Sequence, residues 1–578
     1  MDVREVAVVG LGTMGAGIAE VFARSGIGVV AIEADPGALA RGMATVRTSL
    51  GKAVSRGRLT GAAQEEILTR IRPAESVSAA AGAGLVIEVV PERLDIKRQV
   101  FDGLDQACGP DTIFATNTSS LSVTEIAAGT RDPGRVVGMH FFNPAPVMRL
   151  VEVVTTVRTS PGTGAAVTEL ARRLGKTPVQ VTDRAGFIAN ALLLPYLNHA
   201  ARLLESGYAT GPDIDAAATA GIGLPMGPLA LLDLIGLDTS LSILDVLHGE
   251  FGGTRYAAAP LLRRLVAAGL TGRKAGRGVY DYSAGRAAGQ PGSVPPGQPG
   301  HGQAGQPGGG QAGQPGGGQA GQPGGGQGGQ PGGGQPGGGL AGDSGPGPAA
   351  GVVRLLDARA AEGGRAGPAA GDPVAELIRQ AGWQVTGPGE TGVVSGAANG
   401  GAGNGGAANG GAGNGGAGGL ILVRARDESA SVLSAALATG RPADVVGLHL
   451  AGDDLAELIA TPVSGPGAVE AAGAVAAGLG RTVVWSKDRP GFLAGALLYP
   501  HLNDAARMVQ DGYAAAADID TAMTLGCGYP RGPLALLDQA GPGRVVAVLT
   551  AMHERYGDPA FAPVPLLAEH ASAGLAFC

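Results

Sequence analysis

Cysteine is scarce in this chain. Its three residues, Cys108, Cys527 and Cys578, have no metal-ligand spacing and cannot form a disulfide framework. A stapled secreted domain is excluded, no metal site is expected, and a reduced intracellular setting fits. Aromatic residues are also few, at 4%, so any core must be packed from Val, Leu and Ala, which the 44% hydrophobic fraction supplies. Basic clusters are missing and the formal charge is −7, which argues against nucleic acid as a partner. No apolar stretch approaches the roughly 20 residues that span a bilayer, and Met1-Asp2-Val3-Arg4-Glu5 leads into an apolar run without a signal-peptide layout. A soluble cytoplasmic protein without membrane contact is expected.

Gly and Pro are abundant instead, at 104 and 39 residues, and they are concentrated. Residues 284–350 are GQPGGGQA-type repeats, and 396–419 are AANGGAGNGG repeats. Almost free of apolar side chains, both tracts cannot offset the entropy of ordering and should be disordered tethers. As a flexible coil the first spans on the order of 45 Å root-mean-square. A chain of 578 residues divided in this way should hold two to four domains.

At the N-terminus, the buried-strand run Val6-Ala7-Val8-Val9 is followed by Gly10-Leu11-Gly12-Thr13-Met14-Gly15 and a helical pattern. A second strand, Val29 to Ile32, ends at Glu33, 18 residues after the last glycine. A lone G-x-G-x-x-G is a weak signal. Set between strand and helix, with an acid at that distance, it meets the requirements of a dinucleotide site. The glycines let the backbone approach a pyrophosphate, and the helix N-terminus supplies amide donors. Glu33 would accept hydrogen bonds from ribose hydroxyls and repel a 2′-phosphate, favouring NAD over NADP. Farther on, the basic residues Arg47, Lys52, Arg56 and Arg58 form either a solvated helix face or an anion site for a nucleotide 3′-phosphate. Glu92 and Lys97 lie at a strand-to-helix crossover, where they can face a nicotinamide or form an ordinary surface pair.

The most informative stretch runs from Asn117 to Glu152. Three β-like runs there each present one reactive group: the hydroxyls of Asn117-Thr118-Ser119-Ser120, the imidazole of His140 and the carboxylate of Glu152. In a parallel sheet all three could gather at the carboxyl edge, where open α/β sheets bind ligands. An imidazole oriented by a carboxylate is a general base, and a neighbouring hydroxyl can hold a substrate oxygen. After a short strand, Asn190 opens a long helical region that Pro225-Met226-Gly227-Pro228 interrupts, which reads as an all-α domain.

The C-terminal part repeats the first. At an offset of 305, Asp183-Arg184-Ala185-Gly186-Phe187 recurs as Asp488-Arg489-Pro490-Gly491-Phe492, and Gly227 to Asp233 recurs whole as Gly532 to Asp538. At an offset of 309, Val136 to His140 matches Val445 to His449, while Asn117-Thr118-Ser119 becomes Arg426-Asp427-Glu428. With a deletion allowed, Glu152 falls opposite Ala460, and Asn190 falls opposite Gly495. His449 is therefore expected to have lost every polar partner and to be a structural relic.

Across their whole length the first 283 residues resemble the 3-hydroxyacyl-CoA dehydrogenases. GLGTMGAGIAEVFA, VIEVVPERLDIKRQVF, ATNTSSL, VVGMHFFNPAPVMRLVEVV, DRAGFIANALLLPY, PMGPLALLDLIGLD and GRKAGRGVYDY stand in family order. The resemblance implies an α/β Rossmann-type doubly wound sheet (1–184) and then a helical domain (185–283) that usually dimerises. After the linker (284–350) would come a vestigial Rossmann-like segment (351–484) and a second, non-catalytic helical domain (485–578). Whether 351–395 fold is left open. The two helical copies would pair within the chain as a pseudo-dimer, or the chain would form a homodimer. By the same resemblance His140 is the catalytic base and Glu152 its partner, and Ser119 and Asn190 contact the substrate oxygen. Asn117, Glu92 and Lys97 line the nicotinamide site, and Ser49 and Arg56 meet coenzyme A. Ala191 departs from the Arg that often follows the Asn. The implied reaction is NAD-dependent oxidation of an (S)-3-hydroxyacyl-CoA in fatty-acid or related metabolism, including β-oxidation. Rival readings are a 3-hydroxyadipyl-CoA dehydrogenase of phenylacetate breakdown, a non-CoA 3-hydroxy acid dehydrogenase with a lysine base, and a non-catalytic relative.

Overall fold

The computed structural model describes residues 3–283, 352–357, 372–386, 420–425 and 431–578. The tracts at 284–350 and 396–419, expected to be tethers, lie outside the described residues.

Eight strands form the first sheet: β1 (Glu5–Val9), β2 (Gly28–Ile32), β3 (Ile71–Ala74), β4 (Leu85–Glu88), β5 (Ile113–Thr116), β6 (Val136–Phe141), β7 (Leu150–Thr155) and β8 (Thr177–Thr182). Their order is β3-β2-β1-β4-β5-β6-β7-β8. Strands such as β1 read as continuous apolar runs because helices cover both faces, and Val6, Ala7 and Val8 are fully buried. The sheet is not parallel throughout. β1 to β6 run one way, β7 pairs antiparallel with β6, and β8 pairs parallel with β7. The segment between Phe141 and Leu150 is too short for the crossover that a parallel neighbour needs.

The first helical unit is built on the helix Ala189–Glu205, with Pro228–Ile235, Leu237–Phe251 and Pro260–Ala267 packed around it. Asp215 fastens the start of Pro228–Ile235 by accepting from Leu229 N (2.8 Å) and Ala230 N (3.1 Å). Asp520 does the same for Leu534 N and Ala535 N in the second unit. The duplicated sequence thus keeps its capping chemistry.

The second half has its own sheet: β9 (Val352–Asp357), β10 (Gln384–Thr386), β11 (Leu420–Arg424), β12 (Val445–Ala451), β13 (Leu455–Ala460) and β14 (Thr482–Lys487), in the order β10-β9-β11-β12-β13-β14. This matches the first sheet with β3 and β4 removed. Part of 351–395 is therefore folded, as β9, the helix Pro373–Gln380 and β10.

The two helical units pack against each other through Ala189–Glu205 and its counterpart Ala494–Gln510, and one apolar cluster runs through both. The contact is pseudo-symmetric. The Arg184 guanidinium lies 4.4 Å over Tyr513, and that of Arg489, its equivalent, 5.5 Å over Tyr208. Tyr208 also donates to Phe492 O (2.5 Å), Thr254 Oγ1 to Asp558 Oδ1 (2.7 Å), and Arg255 pairs with Asp504. Among the described residues no helix is long and apolar enough to cross a membrane.

Candidate active site

The antiparallel β6–β7 pairing sets His140 and Glu152 directly opposite each other. His140 Nδ1 lies 2.6 Å from Glu152 Oε2, and Glu152 is fully buried. The other carboxylate oxygen, Oε1, accepts from Ile188 N and Ala189 N, each at 3.0 Å. These amides open the helix Ala189–Glu205, so the carboxylate sits at the positive end of that helix. With both carboxylate oxygens accepting, the shared hydrogen belongs on Nδ1, and His140 Nε2 keeps its lone pair. No partner for Nε2 exists among the described residues. Phe142 and Phe187 flank the ring, with centroids 4.6 and 5.7 Å away. Phe187 takes a positive φ of 48°, a conformation that favours glycine and is held here by the turn leading into the helix.

Asn190 Nδ2 donates to the backbone carbonyl of Ser119 (3.4 Å), and the Ser119 hydroxyl donates to Glu92 Oε1 (3.3 Å). Asn190 projects from the first turn of the helix whose amides hold Glu152. Asn117 Oδ1 accepts from Phe141 N (2.8 Å) and so ties the end of β5 to the residue after His140. Glu92 gathers the serine loop: its Oε1 accepts from Thr118 Oγ1 (2.7 Å), Ser119 N (2.8 Å) and Ser120 N (3.0 Å). Burial pushes the Glu92 carboxyl up, but Lys97 and these donors outweigh it and hold it below the usual range.

Lys97 is buried, and its main partner was not anticipated. Its Nζ lies 2.8 Å from Glu88 Oε1 and 3.3 Å from Glu92 Oε2. Glu88 also accepts from Thr116 Oγ1 (2.7 Å) and Val90 N (2.7 Å). The available signal was an acid in the middle of the apolar run Leu85 to Val90. Asp183 was likewise missed as a structural group; it fastens Ser122, Val123 and Thr124.

At the glycine turn the residues present fit a dinucleotide. Gly10 has φ 95°, and a Cβ there would meet Val89 O at 2.7 Å; one on Gly15 would lie 1.8 Å from Gly10 O. A Cβ on Gly12 would meet nothing within 4 Å. The helix Thr13–Arg24 has no side-chain cap, so the amides beside Thr13 and Met14 are open to an anion. Glu33 at the end of β2 accepts from Leu11 N (3.1 Å), which places it beside the turn. Ser49 lies in the C-terminal part of the helix Pro36–Ser55, and Arg56, seven residues on, is its exposed C-cap; no contact between the two is seen among the described residues. Among the described residues no cluster of His, Cys, Asp and Glu is placed to hold a metal.

The second half corrects the expectation for His449. Its Nδ1 lies 2.5 Å from Glu457 Oε2, and Glu457 Oε1 accepts from Leu493 N (3.0 Å) and Ala494 N (2.8 Å). Glu457, not Ala460, is the counterpart of Glu152. The turn between the paired strands is four residues shorter here, so the offset changes from 309 at the histidine to 305 at the acid. Among the described residues of this half, the helix that follows β9 does not offer an open end to an anion. Asp372 caps the helix Pro373–Gln380, accepting from Val374 N (2.9 Å), and pairs with Arg424 (3.2 Å). A carboxylate of the chain thus occupies the helix end that the first half leaves open, and Gly495 stands where Asn190 would be.

Comparison with known proteins gives a consistent result. The model for the 3-hydroxyacyl-CoA dehydrogenase NAD binding domain matches residues 5–184, and that for the C-terminal domain matches twice, at 186–282 and 491–576. A probable 3-hydroxybutyryl-CoA dehydrogenase of Bacillus subtilis is 44% identical over 282 residues, 49% of this chain and 98% of the relative. The 3-hydroxyadipyl-CoA dehydrogenase of Escherichia coli is 32% identical over 572 residues, 99% of this chain and 98% of its own length. A crystal structure of 3-hydroxybutyryl-CoA dehydrogenase from Escherichia coli aligns over 99% of both chains with a TM-score of 0.72 and 30% identity.

Proposed function

The chain belongs to the 3-hydroxyacyl-CoA dehydrogenase family, and from that premise we propose that it oxidises an (S)-3-hydroxyacyl-CoA to the 3-oxoacyl-CoA with His140 as the base. It is an NAD-dependent oxidoreductase. Bound NAD supplies the hydride acceptor. His140 Nε2 takes the hydroxyl proton, and Glu152 keeps the imidazole in the required tautomer and stabilises the imidazolium. Ser119 and Asn190 hold the reacting oxygen. Asn117, Glu92 and Lys97 border the nicotinamide, Gly10 to Gly15 and Glu33 hold the rest of the dinucleotide, and Ser49 and Arg56 meet coenzyme A.

The observation that carries this reading is the 2.6 Å contact between His140 and Glu152, which leaves Nε2 unengaged. General base catalysis of this kind is typically worth about 10²–10⁴-fold. A lysine-based mechanism is disfavoured because Lys97 is spent on Glu88 and Glu92. NADH formation from (S)-3-hydroxybutyryl-CoA, with and without the CoA moiety, tests the assignment; turnover of the free acid alone would refute it.

The second half, in this reading, is a structural partner. Its helical unit takes the position of a dimer mate, and in its nucleotide fold the helix Pro373–Gln380 is capped by Asp372 rather than open to a pyrophosphate.

A further inference from the structure

One helix of the second half reaches the active site of the first. Ala516–Cys527 belongs to the second helical unit, yet it packs on β7 and β8 of the first sheet and on the helix Ala189–Glu205. The approach is closest at its penultimate residue, Gly526. A Cβ there would lie 2.6 Å from Leu150 Cδ2, 3.2 Å from Phe142 Cε1 and 3.4 Å from Phe142 Cζ. Glycine within a helix is unfavourable by about 0.5–1 kcal/mol relative to alanine, and close approach of another element is a physical reason to keep it. Both neighbours lead to the dyad. Leu150, fully buried, stands two residues before Glu152 on β7 and so on the same face of the sheet. Phe142 stands two residues after His140, with its ring centroid 4.6 Å from the imidazole, and together with Phe187 at 5.7 Å it confines that ring. Cys527, next along the helix, feels the same acid: burial, and then the Glu152 charge, push its thiol up to about 12.

The duplication supplies a contrast. Gly221, 305 residues before Gly526, makes the equivalent approach from the first helical unit to the second sheet. A Cβ on it would lie 2.6 Å from Leu455 Cδ2 and 3.3 Å from Ala494 Cβ. Leu455 is the counterpart of Leu150, but Ala451 stands where Phe142 would be. Among the described residues the His449 ring has only Phe492 as an aromatic neighbour, 5.1 Å away. Both halves thus keep the close glycine, and only the first places a ring between that glycine and its histidine.

Resting on the dehydrogenase reading above, we propose that Gly526 of the second half is a positioning residue for catalysis in the first. Its missing side chain lets Phe142 lie against the helix Ala516–Cys527, and Phe142 in turn keeps the His140 imidazole in line with Glu152 and its Nε2 turned to the substrate hydroxyl. The second half is therefore part of the first active site as well as its docking partner. Misplacing a catalytic group by about 1 Å can cost roughly 100-fold in rate, so a methyl added at position 526 is felt at His140 through the Phe142 ring.

The test is initial-rate NADH formation from (S)-3-hydroxybutyryl-CoA by the full-length enzyme, with Tm measured alongside. The variants are Gly526→Ala, Gly221→Ala, Phe142→Leu and Gly526→Ala/Phe142→Leu. Gly526→Ala should lower kcat by about tenfold or more while KM for NAD stays near wild type, because the glycine turn is untouched. Gly221→Ala should lower Tm by a similar amount and leave kcat near wild type. Phe142→Leu should lower kcat on its own yet raise it in the Gly526→Ala background, where the smaller side chain makes room for the methyl. Three results overturn the proposal: a folded Gly526→Ala enzyme with unchanged kcat, an equal kcat loss in Gly221→Ala, or the same Phe142→Leu loss in both backgrounds. Should Gly526→Ala not fold, Phe142→Leu alone decides. A kcat about tenfold lower with KM for NAD near wild type supports the proposal, and wild-type kcat overturns it. No NADH from the wild type with any 3-hydroxyacyl-CoA would instead overturn the dehydrogenase reading and this proposal with it.

Discussion

Glu152→Gln is an instructive perturbation because the two sides of that carboxylate make opposite demands on an amide. One oxygen accepts from His140 Nδ1 and the other from Ile188 N and Ala189 N. If the glutamine oxygen faces the amides, its NH₂ meets Nδ1; the ring must then carry its hydrogen on Nε2 and can no longer accept a proton. If it faces the histidine, the NH₂ points at two N–H donors at a buried helix start. The first orientation removes the base and the second costs about 1.5–3 kcal/mol in lost charge-assisted hydrogen bonds. Either way the charge that stabilises the imidazolium is gone. We expect kcat to fall by roughly 10²–10⁴-fold, about 3–5 kcal/mol of transition-state stabilisation, with Tm lower by a few degrees. The chain provides its own control. Glu457 makes the same three contacts in the second half, so Glu457→Gln should show a similar Tm loss while NADH formation stays near wild type. The assay is initial-rate NADH absorbance at saturating (S)-3-hydroxybutyryl-CoA, with Tm by calorimetry. A Glu152→Gln enzyme that is folded and retains most of its kcat would refute the reasoning.

Other expectations follow from the same geometry. Gly12→Ala, whose Cβ meets open space, should leave Tm unchanged but raise KM for NAD about tenfold, whereas Gly15→Ala, 1.8 Å from Gly10 O, should lower Tm itself. Burial and then the Arg255 charge push the His501 imidazole down to about 4. Its folded pKa is thus below the unfolded value near 6.5, so its contribution is whole above that pH and is lost as pH falls towards 4. The loss totals about 3 kcal/mol, and His501→Phe should flatten acid melting curves over that window. Paired cysteines at Thr254 and Asp558, which touch across the helical units at 2.7 Å, should crosslink within one chain; a band of twice the mass on a non-reducing gel would show that the units pair between chains.

Much of this was legible in the sequence, and the failures have physical causes. The glycine turn, Glu33 and the second helical unit were readable because each depends on local spacing: a strand run, a tight turn, a cap repeated at a fixed offset. The gathering of the three groups was conditional on a parallel sheet, and the direction of β7 was not read, although the eight residues between Phe141 and Leu150 are too few for a parallel crossover. That same antiparallel pairing hid Glu457. A four-residue deletion in the turn shifts a sequence alignment but leaves the cross-strand partner in place, so Glu457 fell out of register with Glu152 on paper and not in space. Glu88 was passed over because it lies in an apolar run, and only the fold reveals the buried lysine beneath it. Phe142 and Gly526 lie 384 residues apart and come together through packing of the two halves, which no local pattern encodes.

The most direct test is kcat measured side by side for His140→Gln and His449→Gln, in enzyme shown to be folded, with (S)-3-hydroxybutyryl-CoA and NAD saturating. The account predicts a loss of about 100-fold or more for the first and near wild-type turnover for the second. Equal losses, or an active His140→Gln enzyme, would contradict it.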